Sequence, residues 1–464
     1  MRIFPALLYL CCVIGNADAA ALPRPVRDAL QQAQIPLGDV GIEVREVNAR
    51  TPLVSINSRQ PMNPASTMKL LTTYAGLELL GPAYSWKTEA YLDGKLEQGV
   101  LHGDLILKGY GDPKFTVEQF WLWLRELRGR GLREIRGNLV LDRSAFDLAA
   151  HDPAAFDNDP IRAYNVGPDA LLLNFNAIRL QMIPNGDKVS ILIEPELAGI
   201  TLDNRVTLSV QGECDNWSDA VLPQLNGTTL LIQGTFPAAC GEREQHVSLL
   251  PHSDYVYTVF RALWQELGGT LRGELRTATL PGSATLFATH NSAPLSELIR
   301  DINKFSNNVM ARQLFLSLGL TPIAPATPAS SEQALRDWLA QKQLDLPELA
   351  MENGAGLSRT ERISAHSMAL LLRSAQRSPQ QPEFEASLPI VGVDGTLKNR
   401  LRDSASAGHA HLKTGTLEGA KAVAGYVQSR SGKQWVLVFF INHANAAKGG
   451  AAQDALIEWV QQRH

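Results

Sequence analysis

The chain nowhere gathers lysine and arginine into a basic patch, and its formal net charge is -4 with a pI near 6.2. Nucleic acid and anionic lipid surfaces are therefore not expected partners. Long apolar runs are also missing: the longest, Ile3 to Ile14, is too short to span a bilayer. It follows Arg2 and precedes Ala17-Asp18-Ala19, so residues 1–19 read as an export signal with a small-x-small cleavage site. That reading makes the mature chain a periplasmic protein without a transmembrane anchor.

Cysteine is scarce, with 4 in 464 residues, and Cys11 and Cys12 fall inside the expected signal. Cys214 and Cys240 remain, and in an exported chain they are expected to pair, closing a loop worth roughly 3 kcal/mol in the chain-entropy model. Two independent buried thiols are the alternative. The 10 histidines are scattered and none stands in zinc spacing, so no metal or other cofactor is expected. There is no Gly-x-Ser-x-Gly elbow, no His-Glu-x-x-His and no glycine-rich phosphate loop. Gly109-Tyr110-Gly111-Asp112-Pro113 reads as a turn, and His409 and His411 receive no catalytic role.

What is present is a 45% hydrophobic, 19% charged composition, that of a folded globular protein, in a chain long enough for two or three domains. Pro23 to Ala33 reads as a helix, Val40 to Glu46 and Leu53 to Ile56 as strands, and Pro64 opens a helix stopped by Gly81-Pro82. Near the other end, His411 to Thr416, Lys421 to Gln428 and Trp435 to Ile441 read as strands, and Ala446 to Gln462 as a closing helix. Both ends thus supply one antiparallel sheet with helices packed on it, and the middle is an insertion. That middle is strand-rich, with runs such as Val100 to Leu107, Leu139 to Leu141, Val189 to Ile193, Val206 to Val210 and Thr228 to Ile232. Val117 to Arg128 and Tyr255 to Leu267 are its main helices. A Pro- and Asp-rich break at Asp152 to Pro168 divides it. The expected fold is α+β and multidomain: 20–85 with 288–464, an inserted domain at 86–167 with 249–287, and a nested one at 168–248.

Three short motifs carry the chemistry. Ser66-Thr67-Met68-Lys69 is the one Ser-x-x-Lys of the chain and Lys413-Thr414-Gly415 its one Lys-Thr-Gly, whereas Ser-x-Asn occurs at both Ser55-Ile56-Asn57 and Ser306-Asn307-Asn308. A lysine three residues after a serine on a helix lies on the same face, within reach of the hydroxyl it must deprotonate. Ser66 alone reads equally well as a helix cap, Ser306-Asn307-Asn308 as an interhelical cap after the helix Leu295 to Lys304, and Lys413 as the guard of an edge strand. Taken together they outline a serine acyl-transfer site. Ser306 then relays a proton between Lys69 and the leaving amine, and Asn308 holds the substrate. Lys413 faces the cleft and attracts a carboxylate, and the hydroxyls of Thr414 and Thr416 bind it. Gly415 lets substrate backbone approach, and the N–H groups of Ser66 and Thr416 form an oxyanion hole.

With these residues in place, the sequence resembles the class C, type-4 low-molecular-mass penicillin-binding proteins, the D-alanyl-D-alanine carboxypeptidase and endopeptidase family S13. Further family-like stretches are Gly109 to Pro113, Asp142-Arg143-Ser144-Ala145-Phe146, Leu173-Asn174-Phe175-Asn176, Glu352 to Arg359 and Asp394-Gly395-Thr396-Leu397. The resemblance implies a transpeptidase-like domain, sharing its fold with β-lactamases, interrupted by two accessory domains. It implies acylation of Ser66, Lys69 as general base, Ser306 and Asn308 in proton transfer and binding, and Lys413, Thr414 and Thr416 at the terminal carboxylate. Expected substrates are peptidoglycan peptides ending in D-Ala-D-Ala or D-alanyl cross-links, with β-lactams as covalent inhibitors. Ala355 departs from the serine expected there. Asp142 is expected to touch the peptide side chain. The alternatives are a β-lactamase and a non-catalytic peptidoglycan-binding scaffold or β-lactam sensor.

Overall fold

The computed structural model describes residues 22–464, so the expected signal at 1–19, with Cys11 and Cys12, lies outside the described residues. Trp435 to Ile441 contains no polar residue, so a strand there has two faces to bury. It lies within the strand Gln434–Asn442, centre of a five-stranded antiparallel sheet. The spatial order is Ala410–Leu417, Ala420–Gln428, Gln434–Asn442, Val40–Glu46, Val54–Ile56. Val40 pairs with Ile441 and Glu46 with Trp435, which sets the two ends of the chain side by side.

Alternation along the central strand sorts its side chains into two cores. Val436, Val438 and Phe440 pack with Leu70, Tyr74, Leu298 and Met310, drawn from the helices Lys69–Leu79, Leu295–Lys304 and Asn308–Ser317. Leu437, Phe439 and Ile441 pack on the other face with Val26, Leu30, Leu456 and Val460, from the helices Arg24–Gln32 and Gly450–Gln461. Each such side chain, fully withdrawn from water, contributes about 1.5–3 kcal/mol. The sheet is thereby held rigidly between two helical layers.

Between Lys87 and Asn291 the chain builds two more sheets, of seven and six strands. The first centres on Lys87–Glu97 and Val100–Gly109, and the second on Thr201–Ser209, Lys188–Glu194 and Ile178–Asn185. Their inner faces merge into one apolar core with the helices Val117–Gly129 and His252–Glu266. A disulfide joins Cys214 to Cys240, and Cys240 is itself part of that core. The strand expected at Val206 to Val210 begins earlier, at Thr201, and stops before Val210, which is 91% exposed. Its first half is polar, and parallel pairing with Thr229–Pro237 recruits it despite the weak alternation.

The middle of the chain leans on one helix of the terminal layer, Asn308–Ser317. Gln313 receives a hydrogen bond from Asp169 N (2.9 Å) and donates to Asp169 O (2.8 Å). Arg312 donates to Val166 O (2.7 Å), and Trp86 Nε1 donates to Ser317 Oγ (2.8 Å). This helix begins at Asn308, so the contacts stiffen the base of a motif residue. Among the described residues no helix is long and apolar enough to cross a membrane.

Candidate active site

Asn63 and Asn442 clamp the segment that presents Ser66. Asn442 Oδ1 accepts from Asn63 N (2.7 Å), Asn63 O accepts from Asn442 Nδ2 (3.0 Å), and Asn63 Oδ1 accepts from Ala65 N (2.9 Å). Ala65 is left-handed, with φ 46°, a conformation that costs a residue bearing Cβ roughly 1–2 kcal/mol. Ser66 follows in a 3₁₀ turn, Ala65–Met68, which runs on into the α-helix Lys69–Leu79. The α-helix expected from Pro64 thus starts one turn later, and the tighter turn carries the serine. Strain of this kind concentrates where a side chain must be held in one orientation.

Three groups surround the buried Lys69 ammonium. It lies 3.0 Å from Ser66 Oγ, donates to Asn308 Oδ1 at 2.7 Å, and donates to Ala355 O. Burial first, and then the neighbouring charge of Lys413, drive its pKa well below the ordinary lysine value. A neutral amine has two N–H bonds and one lone pair. Carbonyl oxygens can only accept, so when Lys69 is deprotonated Asn308 and Ala355 take its two N–H bonds and the lone pair is left for the Ser66 hydroxyl. The position of Ala355 acts through its backbone, which accounts for a side chain without the expected hydroxyl being accommodated there.

That carbonyl is held from behind by Glu361, a fully buried carboxylate that accepts from Glu352 N (3.1 Å), Asn353 N (2.9 Å) and Gly354 N (3.1 Å). Thr72 adds a bond from the helix to Gly354 O at 2.6 Å. Glu361 stands in no motif, and no sequence signal marked it.

Ser306 links the helices Leu295–Lys304 and Asn308–Ser317 with φ 59°, while Asn307 caps the second by accepting from Met310 N (3.0 Å). The bond made by Ser306 is to Lys413, whose Nζ lies 2.8 Å from its Oγ. Lys69 is not its partner. Lys413 is completely buried, and its Nζ also donates to Thr414 O (2.8 Å). Burial lowers its pKa to about 7. Lys413, expected to face the cleft as a carboxylate's counter-ion, is turned inward by alternation, towards Ser306, and does not itself line the cleft.

Gly415 lines the cleft and also packs against the turn that carries Ser66. A Cβ there would lie 2.9 Å from Ala65 Cβ, Pro64 O and Ser66 N, so its missing side chain admits the serine's own turn. Thr414 and Thr416 sit at the cleft, and Thr396 Oγ1 is 2.9 Å from Thr414 Oγ1. Asp142, expected to touch the peptide side chain, does not line this cleft. It is fully buried, paired with Lys108 (2.8 Å) and accepting from Ser144 N (2.9 Å) and Leu280 N (2.8 Å), because its strand lies inside the seven-stranded sheet.

The cleft measures ≈ 490 Å³ and is lined by Ser66, Ser306, Thr414 and Thr416, with Arg400 and Lys421 at its far end. A second cavity of ≈ 1390 Å³ shares the loop behind Lys69, through Glu352, Asn353 and Arg359, and is lined across from it by Arg143 and Arg312. Lys421 had a legible signal: a hairpin places it opposite Thr416.

The chain is 28% identical over 439 residues to a D-alanyl-D-alanine carboxypeptidase of Actinomadura sp. (strain R39), covering 90% of this chain and 80% of that protein. To the D-alanyl-D-alanine carboxypeptidase DacB of Haemophilus influenzae it is 26% identical over 410 residues, covering 87% and 85%. The crystal structure of penicillin-binding protein 4 from Haemophilus influenzae has the same fold, with a TM-score of 0.79 at 24% identity over 94% of this chain and 99% of that one. That protein is also solved in complex with a β-lactam. The model of the D-Ala-D-Ala carboxypeptidase 3 (S13) family matches residues 22–463, so the chain belongs to that family and is a serine-type carboxypeptidase.

Proposed function

We propose that the protein hydrolyses peptidoglycan peptides ending in D-Ala-D-Ala, and D-alanyl cross-links, through an acyl-enzyme on Ser66, and that β-lactams acylate the same serine. The observation that carries this is the environment of Lys69: a buried amine whose pKa burial lowers, with two fixed acceptors and Ser66 Oγ at 3.0 Å. Lys69 takes the hydroxyl proton as Oγ attacks the carbonyl carbon, and the oxyanion forms between the N–H groups of Ser66 and Thr416. The C–N bond then breaks as the leaving nitrogen takes a proton from Ser306 Oγ, which Lys413 resupplies at 2.8 Å. Asn308 Oδ1 is committed to Lys69, so its Nδ2 is the group left to donate to the substrate peptide. Thr414 and Thr416 hold the terminal carboxylate. Water then attacks the ester carbonyl, giving its proton through Ser306 to Lys413, and Lys69 returns its proton to Ser66 Oγ as the acyl bond breaks.

In this reading the export signal at 1–19 delivers the chain to the periplasm. The catalytic domain is 20–85 with 288–464, and the inserted domains 86–167 with 249–287 and 168–248 support it. The test is intact-mass analysis after incubation with benzylpenicillin, with Ser66→Ala as control, followed by analysis of muropeptide digests. A lasting penicilloyl adduct on the wild type alone, with release of D-alanine or loss of cross-links, is expected. Rapid penicillin turnover without an adduct would point to a β-lactamase. No adduct and no product would point to a scaffold.

A further inference from the structure

The leaving group of a peptide ending in a D-amino acid carries a carboxylate next to the departing nitrogen. Neither motif lysine is free to meet it. Lys69 is enclosed by Ser66, Asn308 and Ala355, and Lys413 is buried against Ser306 and Thr414 O. Beyond Thr414 and Thr416 the cleft continues to Lys421, Arg400, Gln453 and Asp454. Arg400 is engaged there, its Nε on Asp454 Oδ1 and an NH2 on Gly450 O (3.1 Å) and Gln453 Oε1 (3.3 Å). It and Asp454 form an internally neutral pair.

Lys421 differs from every other cation at the site. It is directly opposite Thr416 in the hairpin, so both side chains leave the same face of the sheet. It is partly buried in the cleft wall, yet its ammonium makes no hydrogen bond or ion pair among the described residues. Burial, and then Arg400, lower its pKa, and the nearby Asp454 carboxylate only partly offsets them.

Building on acylation at Ser66, we propose that Lys421 is the counter-ion for the leaving group's carboxylate, beside the hydroxyls of Thr414 and Thr416. The subsite would accept any leaving amine with a carboxylate on the adjacent carbon, whether a terminal D-amino acid or one that continues into a cross-linked peptide. Lys421 is a binding residue in this scheme and moves no proton.

Two esters with the same acyl-D-alanyl half test it, one releasing D-lactate and the other D-lactamide. The measured quantity is the ratio of their kcat/KM values. Lys421→Met should lower that ratio about tenfold, the scale of one charge-assisted hydrogen bond, and Lys421→Arg should restore most of it. A ratio that Lys421→Met leaves unchanged, whatever happens to the absolute rates, overturns the assignment. Mass spectrometry of the wild type separates the two levels: without an acyl-enzyme on Ser66 from either ester, the underlying reading fails and takes this one with it.

Discussion

Lys69 and Lys413 are both fully buried lysines within one site, and both lose proton affinity to burial, but their surroundings differ. Around Lys69 two carbonyl acceptors fix the amine so that its third direction meets Ser66. Around Lys413 there is one hydroxyl, Ser306, and the carbonyl of its own neighbour. In the proposed reaction the first environment orients a lone pair and the second holds a proton beside a hydroxyl. Burial tunes both amines, whereas the pattern of acceptors gives each its task.

Removing the amine from the first pocket should break the comparison most severely. Lys69→Met is expected to slow Ser66 acylation on the order of 10³-fold, followed as the rate of penicilloyl adduct formation, the scale of a lost general base. Recovery of the rate in Lys69→Arg would count against the lone-pair role, since a guanidinium has none to offer at these pH values.

Next in size is Gly415→Ala, which touches both pockets because the Lys413 strand rests on the Ser66 turn. The new methyl would sit 2.9 Å from Ser66 N and Pro64 O, and a displacement of the nucleophile by such contacts should reduce kcat/KM about 10²-fold. Far-ultraviolet circular dichroism should stay that of the wild type. Full activity in this variant would show that the turn yields without moving Ser66.

Lys413→Met should have the smallest kinetic effect, on the order of tens of fold, concentrated on substrates with poor leaving groups, because the proton it resupplies serves the departing nitrogen. Its effect on stability sharpens the comparison further. The folded-state pKa of Lys413, about 7, lies below the ordinary 10.5, so between these values the unfolded chain binds the extra proton. Stability should therefore rise with pH from about 7 to about 10.5 through this group, and the burial penalty on the charged form is present in full below 7. Denaturation midpoints measured across that window should climb more steeply in wild type than in Lys413→Met. Equal slopes would place the charge elsewhere.

Much of this organisation could be read from residue patterns. The apolar run Trp435 to Ile441 could only be a strand buried on both faces, and the helix Leu295–Lys304 has the boundaries its periodicity predicts. Ser66 and Lys69 are three residues apart, so local helical geometry alone brings them together. The partners of Lys413 were harder to read, because whether a strand residue points to a cleft or a core depends on which face the neighbouring helices cover. The surroundings of Asp142 were hard to read for the same reason: Asp142-Arg143-Ser144 is a turn-like motif in sequence, but a sheet closes over its first residue. Glu361 left no trace because a lone glutamate matters here only through three backbone N–H groups that a loop folds around it.

Motif order and spacing were enough to single out Ser66, Lys69 and the strand beside them as one cluster, since these rest on local geometry and on residue types with few other uses. Long-range packing settled the rest. It paired Ser306 with Lys413, turned the Ala355 carbonyl onto Lys69, brought Gly415 against the Ser66 turn and left Lys421, among the described residues, without a hydrogen-bond partner at the cleft. Such relations join segments far apart in the chain. They depend on which faces are buried against which, a property of the assembled layers that no short stretch of residues contains.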